Sequence, residues 1–151
     1  MDSSAIVLEG VRHTYEDEEV LHGIDLTIEH GEIFGFLGPN GAGKTTAMNV
    51  LTTLIVPTAG SARVCGHDVV TERRDVTKRI GYLPADVRLY GHMTAAENLL
   101  FFAKLSGVPD PRAAVVETLD FLDVSDLADK KLSSFSTGMR QRAGIAQAVL
   151  H

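Results

Sequence analysis

Gly38-Pro39-Asn40-Gly41-Ala42-Gly43-Lys44-Thr45 is the stretch that decides how this chain is read. Glycines at 38 and 43, followed directly by Lys44 and Thr45, have the spacing of a phosphate-binding loop. Phosphate oxygens must lie against successive backbone N–H groups, and side chains would block that approach. Glycine leaves it open and takes the positive φ angles that let those N–H groups converge. A helix after the loop would aim its positive dipole end at the same place. In this pattern Lys44 reaches the terminal phosphates of a nucleoside triphosphate and the Thr45 hydroxyl ligates magnesium, with Thr46 next to them. The expected cofactors are ATP and Mg2+; no base-reading motif for GTP is found.

The flanks agree with this reading. Before the loop, Ile33-Phe34-Gly35-Phe36-Leu37 is a continuous apolar run, as expected of a buried central strand. After it, Lys44 to Ile55 reads as a helix, with Met48, Leu51 and Ile55 at helical spacing. Further upstream, Ala5 to Val11 alternates weakly and Val20 to Ile28 alternates clearly, and both read as strands. Downstream, Ala62 to Cys65 reads as a short strand, Thr71 to Lys78 as a short helix and Arg79 to Leu83 as a strand ended by Pro84. From there the pattern turns helical. Thr94-Ala95-Ala96-Glu97 is a capping box, and Gly107 is placed to close that helix in a left-handed conformation. Asp110-Pro111 opens the next helix, with Val115, Leu119 and Leu122 on its buried face. A last, mostly buried helix is expected from Gly138, carrying Ala143, Ile145, Ala146, Ala148, Val149 and Leu150.

Composition excludes several classes. The chain has 151 residues, 44% of them hydrophobic, which suits one ordinary domain with a real core. No apolar run approaches the roughly 20 residues needed to cross a bilayer. Met1-Asp2-Ser3-Ser4 is not a secretory signal. Cys65 is the only cysteine, so a disulfide framework is excluded. A net charge of -6 argues against a nucleic-acid partner, which needs a basic face. The six histidines are scattered without metal-ligand spacing. Asp120, Asp123, Asp126 and Asp129 read as solvated surface.

A second segment narrows the class. Ser136-Thr137-Gly138-Met139-Arg140-Gln141-Arg142 resembles the signature motif of the ABC (ATP-binding cassette) ATPases. The family's Ser-Gly-Gly-Gln core stands here as Ser136-Thr137-Gly138-Met139, with Gln141-Arg142 kept. The loop from Gly38 to Thr46 is typical of that family too, as are Pro57-Thr58-Ala59-Gly60 and Ile80-Gly81-Tyr82-Leu83-Pro84. The Ser-Thr-Gly-Met and Gly-Tyr-Leu-Pro forms look most like the ATP-binding subunits of exporters of the multidrug and antibiotic-resistance kind.

The resemblance implies an α/β P-loop NTPase fold. An N-terminal antiparallel β subdomain, a partial parallel core sheet and a helical subdomain are expected, with residues 1–93 as β subdomain and P-loop core, 94–137 helical and 138–151 the signature helix. It implies that Ser136, Thr137 and Gly138 face the γ-phosphate held by a partner subunit, in a head-to-tail homodimer or a pair with another ABC subunit. A helix start with a small hydroxyl suits that task. Tyr15 lies where the family stacks an aromatic ring on adenine. A separate transmembrane permease is the further partner implied, with the chain in the cytoplasm on the inner face of the cell membrane.

Two departures qualify this. After Tyr-Leu-Pro the family has Gln, or Glu in some exporters, contacting magnesium or the attacking water. Here that position is Ala85, followed by Asp86. Asp86 either substitutes as a metal ligand, if the loop shifts by one residue, or is a plain loop carboxylate. The family's apolar strand ending in Asp-Glu, which holds magnesium and polarises water, is also missing before His151. No catalytic base is therefore assigned. The chain is read as an N-terminal fragment of an ATPase, itself deficient in hydrolysis. The alternatives are a soluble ABC ATPase without a membrane partner and a nucleotide-binding module without turnover.

Overall fold

The alternation at the N-terminal end forms a long hairpin, in which β1 (Ser4–Tyr15) pairs antiparallel with β2 (Glu18–Glu29). In this computed structural model, residues 4–86 and 89–150 are described. They fall into two compact units, one up to Ile80 and one from Gly81.

In the first unit, β3 (Ala59–Val64) lies on the other side of β1, and the short β4 (His67–Asp68) pairs with β3. The order is β2-β1-β3-β4, all antiparallel. Leu8 and Val11 are both buried, yet three residues apart they would face opposite sides of a regular strand. The register slips between them at Gly10, whose φ is +57°, and this bulge turns both side chains inward. Helix α1 (Lys44–Leu51) adds Ala47, Val50 and Leu51 to a core made with Leu8, Val11, Leu21, Ala62, Val64, Val69 and Val76. Burying one such aliphatic side chain is worth about 1.5–3 kcal/mol. Val76 comes from α2 (Arg73–Thr77). The turn leading into α2 is held by Asp68, whose carboxylate accepts from the backbone N–H of Thr71 and Val70 and from the Thr71 hydroxyl. Those bonds, Thr71 N–H first, hold its pKa below the ordinary value.

Several expectations fail here. The helix stops at Leu51 rather than Ile55. Thr53 takes φ +62°, Leu54 N–H donates to Asn49 O (2.8 Å) and Thr53 N–H to Val50 O (3.0 Å). This is a left-handed helix stop with threonine where glycine is usual. Met48 is exposed, and the buried face is Ala47, Val50 and Leu51. Residues 33–37 form no strand, with Ile33 and Leu37 almost fully exposed, and 79–83 form none either. A strand is fixed by ladder bonds along its edges, and among the described residues no strand lies beside either segment. The expected partial parallel core sheet is accordingly not formed among the described residues.

The second unit is helical. α3 (Ala95–Leu105) starts at the capping box read from the sequence. Glu97 N–H donates to Thr94 Oγ1 (3.1 Å) and Thr94 N–H to Glu97 Oε2 (2.8 Å). It ends at Gly107, φ +72°, with Val108 N–H donating to Ala103 O at 3.0 Å. α4 (Pro111–Phe121) is capped by Asp110, whose Oδ1 accepts from Ala113 N–H at 3.1 Å. It ends with Asp123 at φ +52° and Val124 N–H donating to Leu119 O at 3.0 Å. Asp123 is thus a helix stop, and Asp120 accepts from the Ser125 hydroxyl. Two 3-10 turns, Ser125–Leu127 and Leu132–Ser134, lead to α5 (Thr137–Ala148). The core joins Leu99 and Ala103, Val115 and Leu119, Leu127 and Phe135, and Ala143 and Ala146. Ile145 and Val149 are exposed, so α5 buries only one face instead of most of its surface. Thr94→Ala removes the bond that Thr94 Oγ1 accepts from Glu97 N–H and leaves the backbone N–H of residue 94 to donate to Glu97. It is expected to cost about 1 kcal/mol, read as a lower denaturation midpoint with an unchanged slope.

Candidate functional site: the phosphate loop and the signature turn

The loop between residue 37 and α1 is built for close backbone approach. Gly41 and Gly43 take φ +83° and +77°, and Ala42 N–H donates to Pro39 O at 3.3 Å. Gly43 is confined as well as twisted. A Cβ there would lie 2.7 Å from Leu21 Cδ2 and 2.8 Å from Val20 O. The end of the β1–β2 hairpin therefore sits directly against the last loop glycine. Gly43 also begins α1 with no side-chain cap, which leaves first-turn N–H groups available to an anion.

Lys44 folds back over this loop, its Nζ donating to Gly38 O (2.7 Å) and Pro39 O (2.6 Å). An ammonium has three protons, so one remains for a phosphate oxygen. Thr45 is exposed in the first turn of α1, whereas Thr46 is buried. Asn40 is exposed on the loop. Residues 38–46 are thus contiguous through the loop and the first turn of α1, with Thr46 turned inward. Tyr15 closes β1 opposite Glu18, 45% exposed, on the same hairpin end that supports Gly43. Its ring meets His13 edge to face, with centroids 4.5 Å apart. Beside them Arg12 Nη1 pairs with Glu19 Oε1 at 2.7 Å and holds the Glu19 carboxyl below its ordinary pKa.

In the second unit, Ser136 caps α5, its Oγ accepting from Met139 N–H at 3.3 Å. Ser136, Thr137 and Gly138 are exposed, and a Cβ on Gly138 would meet nothing within 4 Å. The turn is anchored from behind by the buried Phe135. Asp86 is exposed and borders a cleft with Tyr82, Leu83, Pro84, Phe102, Gly144 and Gln147. Ala85 offers no polar side-chain atom.

Sequence reasoning missed three features. His67 is not isolated, because its ring lies with the carboxylates of Glu72 and Asp75, ligand atoms all within 4.8 Å. Glu72 is already engaged there, accepting from Asp68 N–H (2.9 Å) and meeting His67 Nδ1 (2.9 Å), bonds that lower its pKa. The group works as a turn clamp. Asn98 is buried and its amide binds Tyr90 N–H, Tyr90 O and Thr94 O. Gly81 lies so close to Ala148 that a Cβ would be 2.4 Å from its carbonyl oxygen. Only the glycine in Ile80-Gly81-Tyr82 hinted at the last.

A phosphate loop with its lysine in place, and a signature-like turn capping a helix, define an ATP-binding cassette. Residues 21–151 match the ABC transporter family, and the chain belongs to it. It is 40% identical, over 99% of its length, to the daunorubicin resistance ATP-binding protein DrrA3 of Streptomyces coeruleorubidus, of which it covers 48%. It is 37% identical, over its whole length, to the Nod factor export ATP-binding protein I of Burkholderia thailandensis, covering 50% of that protein. The bacitracin transport ATP-binding protein BcrA of Bacillus licheniformis is 36% identical over 91% of the chain, which covers 44% of it. The chain thus spans about half the length of the curated relatives it matches. Among solved structures, the dimeric ATP-binding cassette MJ0796 bound to ADP and Pi superposes with a TM-score of 0.78 at 26% identity. That match covers 96% of this chain and 69% of that one. CbiO1 from Clostridium perfringens, part of the transporter complex cbiONQ, shares the fold with a TM-score of 0.83 over 99% of this chain and 62% of its own. The family is one of ATP-binding ATPases. No helix among the described residues is long and apolar enough to cross a membrane.

Proposed function

We propose that this chain is the nucleotide-binding half of an ATP-binding subunit that drives export through a separate membrane permease, on the inner face of the cell membrane. The observation that carries the reading is Lys44 held over Gly38 and Pro39 at the uncapped start of α1. Residues 38–46 bind the triphosphate, Tyr15 stacks on the adenine, and the Thr45 hydroxyl holds magnesium. Magnesium supplies charge neutralisation between phosphates. Ser136, Thr137 and Gly138 present a hydroxyl and N–H groups to nucleotide bound by a second subunit, in a head-to-tail pair. Export rather than uptake is supported by relatives named for resistance and export.

Within the chain no side chain is assigned as general base, a group worth about 10²–10⁴ in rate. The 151-residue chain is accordingly proposed to bind ATP with little turnover. Calorimetric titration with ATP, with and without Mg2+, tests the reading, together with phosphate release. Expected are saturable magnesium-dependent binding, loss of the magnesium dependence in Thr45→Ala, and phosphate release near the uncatalysed background. No saturable binding would overturn the nucleotide reading. Robust magnesium-dependent release would overturn the assignment of low turnover.

A further inference from the structure

His13 is a buried polar residue that the phosphate site does not use. It is 8% exposed, and its Nδ1 has no hydrogen-bond partner among the described residues. Such an atom opposes folding, and an apolar side chain would fill the place without that cost. The ring makes one specific contact instead. Its centroid lies 4.5 Å from that of Tyr15, with the planes at 79°. This is the edge-to-face geometry that ring quadrupoles favour. The two residues are two apart on β1, across the register irregularity between His13 and Thr14, and their rings meet there. Across the hairpin His13 is paired with Leu21, whose Cδ2 approaches Gly43 of the phosphate loop. One buried ring therefore lies behind the exposed Tyr15 ring and beside the strand segment that supports the loop.

We propose that His13 is a positioning residue for base recognition, fixing the Tyr15 ring in the orientation that stacks on the adenine of a bound nucleoside triphosphate. The inference rests on Tyr15 being the stacking residue. A half-exposed tyrosine at a strand end otherwise samples several rotamers, and ordering it on binding reduces affinity. A buried ring beneath it orders it beforehand. The triphosphate gains nothing from this, because Tyr15 does not touch it.

The test compares dissociation constants for ATP and for inorganic tripolyphosphate, both with Mg2+, across Tyr15→Ala, His13→Leu and His13→Phe. His13→Leu is expected to weaken ATP about 2- to 12-fold, the range of an edge-to-face pair. Tripolyphosphate should be unchanged, and His13→Phe, which keeps a ring, should retain the affinity for ATP. A purely structural role would move both ligands together. If Tyr15→Ala weakens ATP selectively and His13→Leu does not, the inference falls alone. If Tyr15→Ala leaves the ratio of the two constants unchanged, the stacking reading falls and takes the inference with it. Should His13→Leu fail to fold, His13→Gln supplies the ringless variant, and an unchanged ratio there overturns the proposal.

Discussion

Lys44→Ala is expected to weaken ATP binding by about 10- to 150-fold, the worth of one charge-assisted bond at about 1.5–3 kcal/mol. The ammonium is the cation placed at the loop by sequence and structure alike, and in a chain of net charge -6 no general positive field compensates for its loss. The variant also releases Gly38 O and Pro39 O, which Nζ now joins at 2.7 and 2.6 Å, so the loop loses a clasp as well as a charge. Lys44→Arg is not a conservative rescue, because a planar fork cannot occupy a site shaped for a compact ammonium. Helix α1 does not depend on the side chain, since its core contacts come from Ala47, Val50 and Leu51. Circular dichroism should therefore be unchanged while calorimetry shows the loss. Binding of MgATP by Lys44→Ala within twofold of the parent would sink the phosphate-loop assignment.

The parts of the fold legible in the sequence are those whose cause is local. A capping box needs only a threonine and a glutamate three residues apart, and Thr94 and Glu97 form it as read. The three helix stops separate local from tertiary causes. At Gly107 the left-handed stop is visible because glycine takes it freely. Thr53 and Asp123 adopt the same conformation, and neither residue announces it. Val50 and Leu51 before Thr53 lie in the core, and helical periodicity alone runs on to Ile55 past a stop it does not show. Residues 33–37 failed for the opposite reason. Their apolar run states a preference for a buried strand, but a strand exists only where a neighbour supplies the ladder. The loop glycines were legible as chemistry, whereas the contact of Gly43 with Val20 and Leu21 is not, because it joins residues more than twenty apart. The burial of His13 is hidden for the same reason, as it follows from the pairing of β1 with β2.

Gly60→Ala should be among the most destabilising small substitutions in the first unit, at about 3–5 kcal/mol, against a typical total of about 5–15 kcal/mol. Two causes add. Gly60 holds φ +82°, a conformation that costs a residue with a Cβ about 1–2 kcal/mol. The second cause is the closeness of β1, since an added Cβ would lie 2.3 Å from Gly10 O, 2.5 Å from Gly10 C and 2.6 Å from Glu9 O. All three are backbone atoms and have no rotamer to give way with. To admit the methyl, β3 must separate from β1 at the bulge that turns Leu8 and Val11 inward. Gly31→Ala is the control, with φ +81° but nothing within 4 Å of the added Cβ, so only the backbone cost of about 1–2 kcal/mol applies. Chemical denaturation of both variants separates the two causes. If Gly60→Ala lowers stability no more than Gly31→Ala, the close approach of β3 to β1 is not what the Pro57-Thr58-Ala59-Gly60 segment exists to permit. If the gap is about 2–3 kcal/mol, the glycine is required by the bulge, and β1 carries both the core residues and the Tyr15 end of the nucleotide site only because its neighbour can come this near.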